Sequence, residues 1–141
     1  MKEFNFNKYT EELVKDYSGK YSDIILLAPK IYSTLHNLLN DQDLDSFTRN
    51  HLLVVLGYFI QPRDVISEEI FGAYGLIDDI YLCLFVFRHI KNNNEDLLIN
   101  NSEIDYDILE NHINSTLDII EEENKEMCDS VVIYTNLKNL R

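Results

Sequence analysis

The 141-residue chain is long enough for one domain, and its 45% hydrophobic and 11% aromatic content can supply a core, which excludes a wholly disordered chain. It carries 12 Lys and Arg against 25 Asp and Glu, a net charge of −13. An acidic field of this size repels nucleic-acid phosphates and anionic lipid, so we expect neither nucleic-acid binding nor electrostatic membrane docking. A protein partner, and a basic one in particular, fits this charge better.

The cysteine count and the apolar stretches predict a cytoplasmic protein. Cys83 and Cys128 are too few for a disulfide framework, and the first residues lack the apolar segment of a signal peptide. The longest uncharged apolar stretches, 52–60 and 80–87, are shorter than the roughly 20 residues that span a bilayer.

The N-terminal half contains apolar residues at helical spacing. A first helix is expected to end at Gly19, and a second pattern runs from residue 24 to residue 38. Pro29 inside that pattern predicts either a kink or a helix that begins near it. Four residues define the apolar face of the first helix: Phe6, Tyr9, Leu13 and Tyr17.

The third helix is expected to begin at Asp45 or Ser46, since both are good N-cap residues, and to end before Gln61-Pro62. The next segment, 76–90, is apolar on every side after its first turn, which is typical of a helix in the centre of a bundle. Residues 92–96 are predicted to form a loop.

The C-terminal third is expected to be helical as well. Ser102 to Asp105 resembles a capping box with Asp in the fourth position and should open a helix. Residues 127–137 favour a last helix, although a strand is an alternative. The sequence therefore predicts one all-α domain over 1–141, with five or six helices around the central helix 76–90. The apolar line of the capped helix is Ile104, Ile108, Ile113, Leu117 and Ile120.

A motif in the middle of the chain resembles a known family. Tyr58-Phe59 ends a helix, Pro62 and Asp64 follow, and Gly72 precedes the pair Asp78-Asp79, which opens the next apolar helix. This order is similar to that of the bacterial YkvA-like domain (DUF1232) over about residues 52–87, although Ser67 stands where the family usually has a second proline. The resemblance implies a helical fold and brings no assigned activity. The motif residues are Pro62, Asp64, Glu68, Gly72, Gly75, Asp78 and Asp79.

The carboxylates of this motif have a structural and a chemical interpretation. In the structural interpretation the carboxylates cap turns, accept hydrogen bonds from backbone N–H groups and interact favourably with the positive N-terminal end of a helix dipole. Arg63 and Arg88 are the expected charge partners. Alternatively, Asp64, Asp78 and Asp79 could bind Mg²⁺, Ca²⁺ or Mn²⁺, since hard cations prefer carboxylate oxygens.

Other side chains give weaker indications. Glu121, Glu122 and Glu123 make an acidic helix end that could contact a basic partner. The four histidines lack metal-ligand spacing, and we expect His51 and His112 at helix surfaces or boundaries.

The functional hypothesis is a non-enzymatic acidic interaction module in a bacterial cytosol, similar to an inhibitor, immunity protein or adaptor. One alternative is a divalent-metal-dependent enzyme that uses the three aspartates. Another is a peripheral membrane protein that attaches through segments 52–60 and 80–87.

Overall fold

A computed structural model of the chain describes residues 6–60 and 75–140, and within these ranges it contains helices and no strand, which confirms the all-α prediction. A π-helical turn, His112–Thr116, joins α6 (Tyr106–Asn111) to α7 (Leu117–Glu123) without a break, and we call the continuous element 106–123 the rod. A 3₁₀ turn, Lys138–Leu140, follows the last helix. The helices are α1 (Phe6–Val14), α2 (Ser22–Ile25), α3 (Ala28–Leu39), α4 (Ser46–Ile60), α5 (Ile77–Asn101), α6 (Tyr106–Asn111), α7 (Leu117–Glu123) and α8 (Lys125–Thr135).

Helix α5 forms the centre of the molecule, as its sequence predicts. Every residue from Ile77 to Phe87 is buried, because α3, α4, α8 and the rod all pack against it. The contact of Tyr58 with Asp78 and that of Phe47 with His89 show that α4 runs antiparallel to α5. None of the helices in the described part of the chain is long and apolar enough to cross a membrane.

The predicted loop at 92–96 is wrong, because α5 continues through it to Asn101. The helix is interrupted at a single residue, Asn94, whose φ of −158° and ψ of 77° are not helical. The Asn94 side-chain oxygen accepts the N–H of Leu97 at 3.3 Å, so this residue caps the second half of the helix. A local cap thus replaces the loop that the asparagine run suggested.

The start of the rod also differs from the prediction. Asp105, not Ser102, is the N-cap of α6, since its carboxylate accepts the N–H of Asp107 at 3.1 Å. The Ser102 hydroxyl instead bonds both the carbonyl and the N–H of Ile104 and closes a turn. Ile108 was expected in the core but is 49% exposed, and the neighbouring Leu109 is buried in its place.

The N-terminal helices are partly as predicted. Helix α3 begins at Ala28 with Pro29 in its first turn, which selects the helix start over the kink. Asp45 caps α4, since its carboxylate accepts the N–H of Thr48 at 2.9 Å. The face that α1 buries is shifted by about one residue from the predicted face. Tyr9, predicted on the apolar face, is 40% exposed, and Thr10, which was not predicted there, is fully buried.

The C-terminal segment is a helix, as favoured over the strand. Helix α8 ends at Thr135, and Asn136 takes the left-handed conformation (φ 58°) that terminates many helices. The N–H of Leu137 then bonds the carbonyl of Val132 at 3.0 Å, and the Leu137 side chain is buried in the core.

Candidate functional site

The two motif aspartates at the start of α5 are both fully buried. The Tyr58 hydroxyl donates to Asp78 Oδ2 at 2.7 Å, and the backbone N–H of Asp79 donates to Asp78 Oδ1 at 3.0 Å. Asp78 therefore joins the end of α4 to the beginning of α5. The ring of Tyr58 also meets the ring of Tyr134 edge-on, at 5.8 Å between centroids, which extends this junction to α8.

Most of the remaining motif lies outside the described residues. This applies to Arg63 and to four motif residues: Pro62, Asp64, Glu68 and Gly72. Gly75 is described, and it is buried immediately before Leu76. Arg88, expected near the aspartates, instead lies 3.9 Å from Asp118 of the rod and stacks on Phe85.

The metal hypothesis stays a prediction, because Asp64 is outside the described ranges. Within 6–60 and 75–140, no group of three or more His, Cys, Asp or Glu side chains is arranged to hold a metal ion. Of the three aspartates, Asp78 and Asp79 are described, and one oxygen of Asp78 already accepts the hydrogen bond from the Tyr58 hydroxyl.

The predicted acidic helix end, Glu121 to Glu123, lies at the C-terminal end of the rod. The Tyr81 hydroxyl donates to Glu121 at 2.8 Å, and the Tyr21 hydroxyl donates to Glu123 at 2.7 Å. Lys20 adds a 3.8 Å ion pair with Glu123. These two carboxylates hold the rod against the rest of the fold, and Glu122 between them is exposed to solvent.

The junction between α7 and α8 forms a shallow hollow beside Glu122. Its volume is about 410 Å³, and its lining is lopsided in charge, with three carboxylates and one lysine. Met127 adds an apolar contact. The lining residues are Glu122, Glu123, Asn124, Lys125, Glu126 and Met127.

The acidic charge is concentrated around the rod. Residues 95–129 contain twelve acidic side chains and one basic side chain, Lys125. Five of the exposed residues along the rod are the acidic Asp107, Asp118 and Glu122 and the apolar Ile108 and Ile119, and each isoleucine is 49% exposed. We call these five residues the acidic face. The acidic residues of 95–129 are Glu95, Asp96, Glu103, Asp105, Asp107, Glu110, Asp118, Glu121, Glu122, Glu123, Glu126 and Asp129.

His112 was expected at a helix surface or boundary, but it is buried, with 7% of its surface exposed. It begins the π-helical turn of the rod, and its Nδ1 lies 2.7 Å from the Thr116 hydroxyl. Burial lowers its pKa below the ordinary 6.5, and the charge of Asp23 opposes this shift. The i, i+4 pairing with Thr116 was visible in the sequence, but the π turn that buries it was not.

The cysteines are not placed for nucleophilic chemistry. Cys83 and Cys128 are free thiols, and both are buried. Burial raises the pKa of Cys83, so this thiol stays protonated at neutral pH.

Comparison with known proteins confirms the family resemblance over a segment. Residues 51–85 match the family described as "Protein of unknown function (DUF1232)". The matched segment runs from His51 in α4 to Phe85 in α5, so it includes the Tyr58–Asp78 junction.

A relative described as "Uncharacterized protein ORF9", from Methanothermobacter thermautotrophicus, is 33% identical over 86 residues. The alignment covers 61% of this chain and 59% of the relative, so the chain spans somewhat more than half of that protein. No solved structure matches the chain.

Proposed function

We propose that this protein is a non-enzymatic binding module whose acidic face and adjoining hollow receive a basic segment of a protein partner. The observation that carries the proposal is the charge of 95–129, where twelve acidic residues accompany a single lysine. Such a surface attracts a cationic partner from a distance and orients it during encounter.

The composition of the acidic face fits an amphipathic basic segment. Ile108 and Ile119 offer exposed apolar anchors, and Asp107, Asp118 and Glu122 add exposed negative charge along the same rod. Protein interfaces commonly combine an apolar centre with a polar rim. A helix with one apolar side and flanking lysines or arginines would complement this face.

The internal contacts of other polar groups favour binding over chemistry. The carboxylate of Asp78 accepts two hydrogen bonds inside the fold, and the Cys83 thiol is buried and protonated. By contrast, Glu122 and Glu126 reach solvent at the hollow. The free buried thiols also suit a reducing compartment such as the cytosol, where we propose that the module acts as an inhibitor, immunity protein or adaptor.

The test is differential capture from the cells that naturally produce the protein. The double variant Glu122→Gln/Glu126→Gln removes two carboxylates at the hollow, and the control Glu11→Gln/Asp43→Asn removes two exposed carboxylates elsewhere. Both variants therefore have the same net charge.

We expect a basic protein that binds the wild type and the control, is lost with the hollow variant, and dissociates at high salt. Equal capture by both variants would show that net charge alone is responsible and would contradict the proposal.

A further inference from the structure

A short segment of the chain itself lies against the hollow at the junction of α7 and α8. We call this segment, residues 17–21 between α1 and α2, the strap. The Tyr21 hydroxyl donates to Glu123 Oε1 at 2.7 Å and accepts from the Asn124 side-chain amide at 2.8 Å. Lys20 adds its 3.8 Å ion pair with Glu123. Glu123 and Asn124 both line the hollow, so the strap holds part of the surface that we assign to a basic partner.

The strap is fixed at both ends and lies at the surface between them. Val14 before it and Ile24 after it are buried in the core. Lys20 is exposed, and Tyr21 is partly buried. The Tyr17 hydroxyl donates to the Lys20 carbonyl at 2.8 Å and closes the strap into a turn. Movement of the strap away from the rod therefore does not require the core around its two ends to open.

The backbone of the strap is strained at Tyr21. Its φ of 62° and ψ of 25° lie in the left-handed region, which is unfavourable for a bulky side chain. In the described part of the chain the only other non-glycine residue with a positive φ is Asn136, which ends α8. Strain of this kind persists where surrounding contacts oppose its relaxation, and it is typical of clamps and switch regions. The contacts with the rod stabilise the strained strap, and its relaxation on release offsets part of their loss.

We infer that the strap is an autoinhibitory contact, which holds Glu123 in the free protein and is displaced when a basic segment of a partner binds. This inference rests on the proposed function and adds its regulation. Lys20 brings to Glu123 the same charge that the partner would bring, so the strap and the partner compete for one carboxylate. The apparent affinity for the partner is then reduced in proportion to the fraction of molecules with an open strap.

An uncharged substitution in the strap provides the first variant. Tyr21→Phe removes the hydroxyl that bonds Glu123 and leaves the net charge unchanged, so its effect is separate from that of simple electrostatics. Its control, Tyr106→Phe, removes a similar bond at the other end of the rod, where the Tyr106 hydroxyl donates to Glu95 at 3.0 Å.

A charged substitution provides the second variant. Lys20→Ala removes the cation that lies beside Glu123. Its control, Lys15→Ala, removes the same charge from a lysine that pairs with Glu12 of α1 at 2.9 Å. Circular dichroism of all four variants confirms that they fold.

Calorimetric titration with a synthetic amphipathic peptide, lysines on one side and leucines on the other, measures the competition. Tyr21→Phe and Lys20→Ala should each bind the peptide at least about threefold more tightly than their controls, as expected when about a third of the wild-type molecules have an open strap. If the wild type binds and each variant equals its control, the strap is overturned and the proposed function stands. Absence of binding in every protein would contradict the proposed function itself and the autoinhibition with it.

Hydrogen exchange reads the strap without a partner. The Tyr21 carbonyl accepts the amides of Ile24 at 3.1 Å and Ile25 at 2.9 Å, so a change of the Tyr21 backbone alters the protection of both. In the absence of peptide these two amides should exchange faster in Tyr21→Phe than in Tyr106→Phe. Equal exchange in the two variants would show that the Tyr21 hydroxyl does not hold the strap closed and would contradict the inference.

Discussion

The Tyr58–Asp78 hydrogen bond is buried between α4 and α5. Removing one partner of a buried hydrogen bond costs more than the bond itself contributes, because the remaining polar atom stays away from water. This contact lies inside the segment that matches the DUF1232 family. The buried Tyr58–Asp78 hydrogen bond supports the interpretation of Asp78 as a residue that stabilises the packing of α4 against α5.

Tyr58→Phe and Asp78→Asn are each expected to lower the free energy of unfolding by about 1–3 kcal/mol. The double variant should lose less than the sum of the two single losses, because both substitutions remove the same contact. Urea unfolding followed by circular dichroism measures all three. An exposed carboxylate, Asp43, provides the control, and Asp43→Asn should leave stability within about 0.5 kcal/mol. Additive losses from Tyr58→Phe and Asp78→Asn would argue that the two side chains act separately.

His112 should make stability depend on pH near neutrality. Because burial lowers its pKa in the folded chain below the ordinary 6.5, the unfolded chain binds the proton more readily. The contribution of His112 to the free energy of unfolding is therefore fully present above about pH 6.5. It is lost progressively as the pH drops toward the pKa of His112 in the folded chain.

The pH dependence is measured by urea unfolding at about pH 7.5 and about pH 5.5, in wild type and His112→Gln. The fall in unfolding free energy should be smaller in the variant. It should not vanish, since burial also lowers the pKa of His89 and contributes with the same sign. Identical falls in both proteins would exclude His112 as a source of the dependence.

At the scale of elements, the start of α4 depends on Asp45. Its carboxylate accepts the N–H of Thr48, and this bond lowers the pKa of Asp45 below the ordinary 3.8. Asp45→Ala should lower the free energy of unfolding by about 1 kcal/mol at neutral pH, the usual contribution of an N-cap side chain.

Ser46→Ala, one residue further on, is the control and should cost about 0.5 kcal/mol or less. The difference in unfolding free energy between the wild type and Asp45→Ala should become smaller below about pH 4. At that pH the wild-type carboxylate becomes protonated and its hydrogen bond to the helix N-terminus weakens. A deficit that persists unchanged in acid would mean that the charge of Asp45 is not involved.

The helices that the sequence predicted well are those with a strong local signal. The apolar run 80–87 is expected to be buried on every side, and Pro29 suits the first turn of a helix. Asp45 has the residue type of an N-cap at a polar-to-apolar boundary.

The elements that the sequence predicted less well depend on tertiary contacts. The asparagine run suggested a loop, but the Asn94 side chain caps α5 from within and the helix continues. The π-helical turn shifts the register of the rod, so an even 3.6-residue spacing cannot describe the whole of it. Ser102 lost the capping role because its hydroxyl closes a turn with Ile104.

The candidate site was visible in part. The sequence indicated Glu121, Glu122 and Glu123 as one acidic group, but tyrosine hydroxyls from α5 and from the start of α2 engage the outer two. Partners 40 and 102 residues away along the chain cannot be read from a local pattern. The hollow that brings Glu126 beside Glu122 likewise exists only after α8 folds against the rod.

At the scale of the whole molecule, charge is distributed unevenly around α5. Residues 95–129, a quarter of the chain, contain twelve of its 25 Asp and Glu residues. The central claim of this account is that the acidic face binds a basic segment of a partner.

Isothermal titration calorimetry with a synthetic amphipathic helix, lysines on one side and leucines on the other, tests that claim most directly. Wild type and the Glu11→Gln/Asp43→Asn control should bind the peptide with similar affinity at low salt, and binding should weaken as salt is added. Glu122→Gln/Glu126→Gln should bind at least about tenfold more weakly. No heat with the wild type, or equal affinity for the two variants of matched charge, would contradict the account.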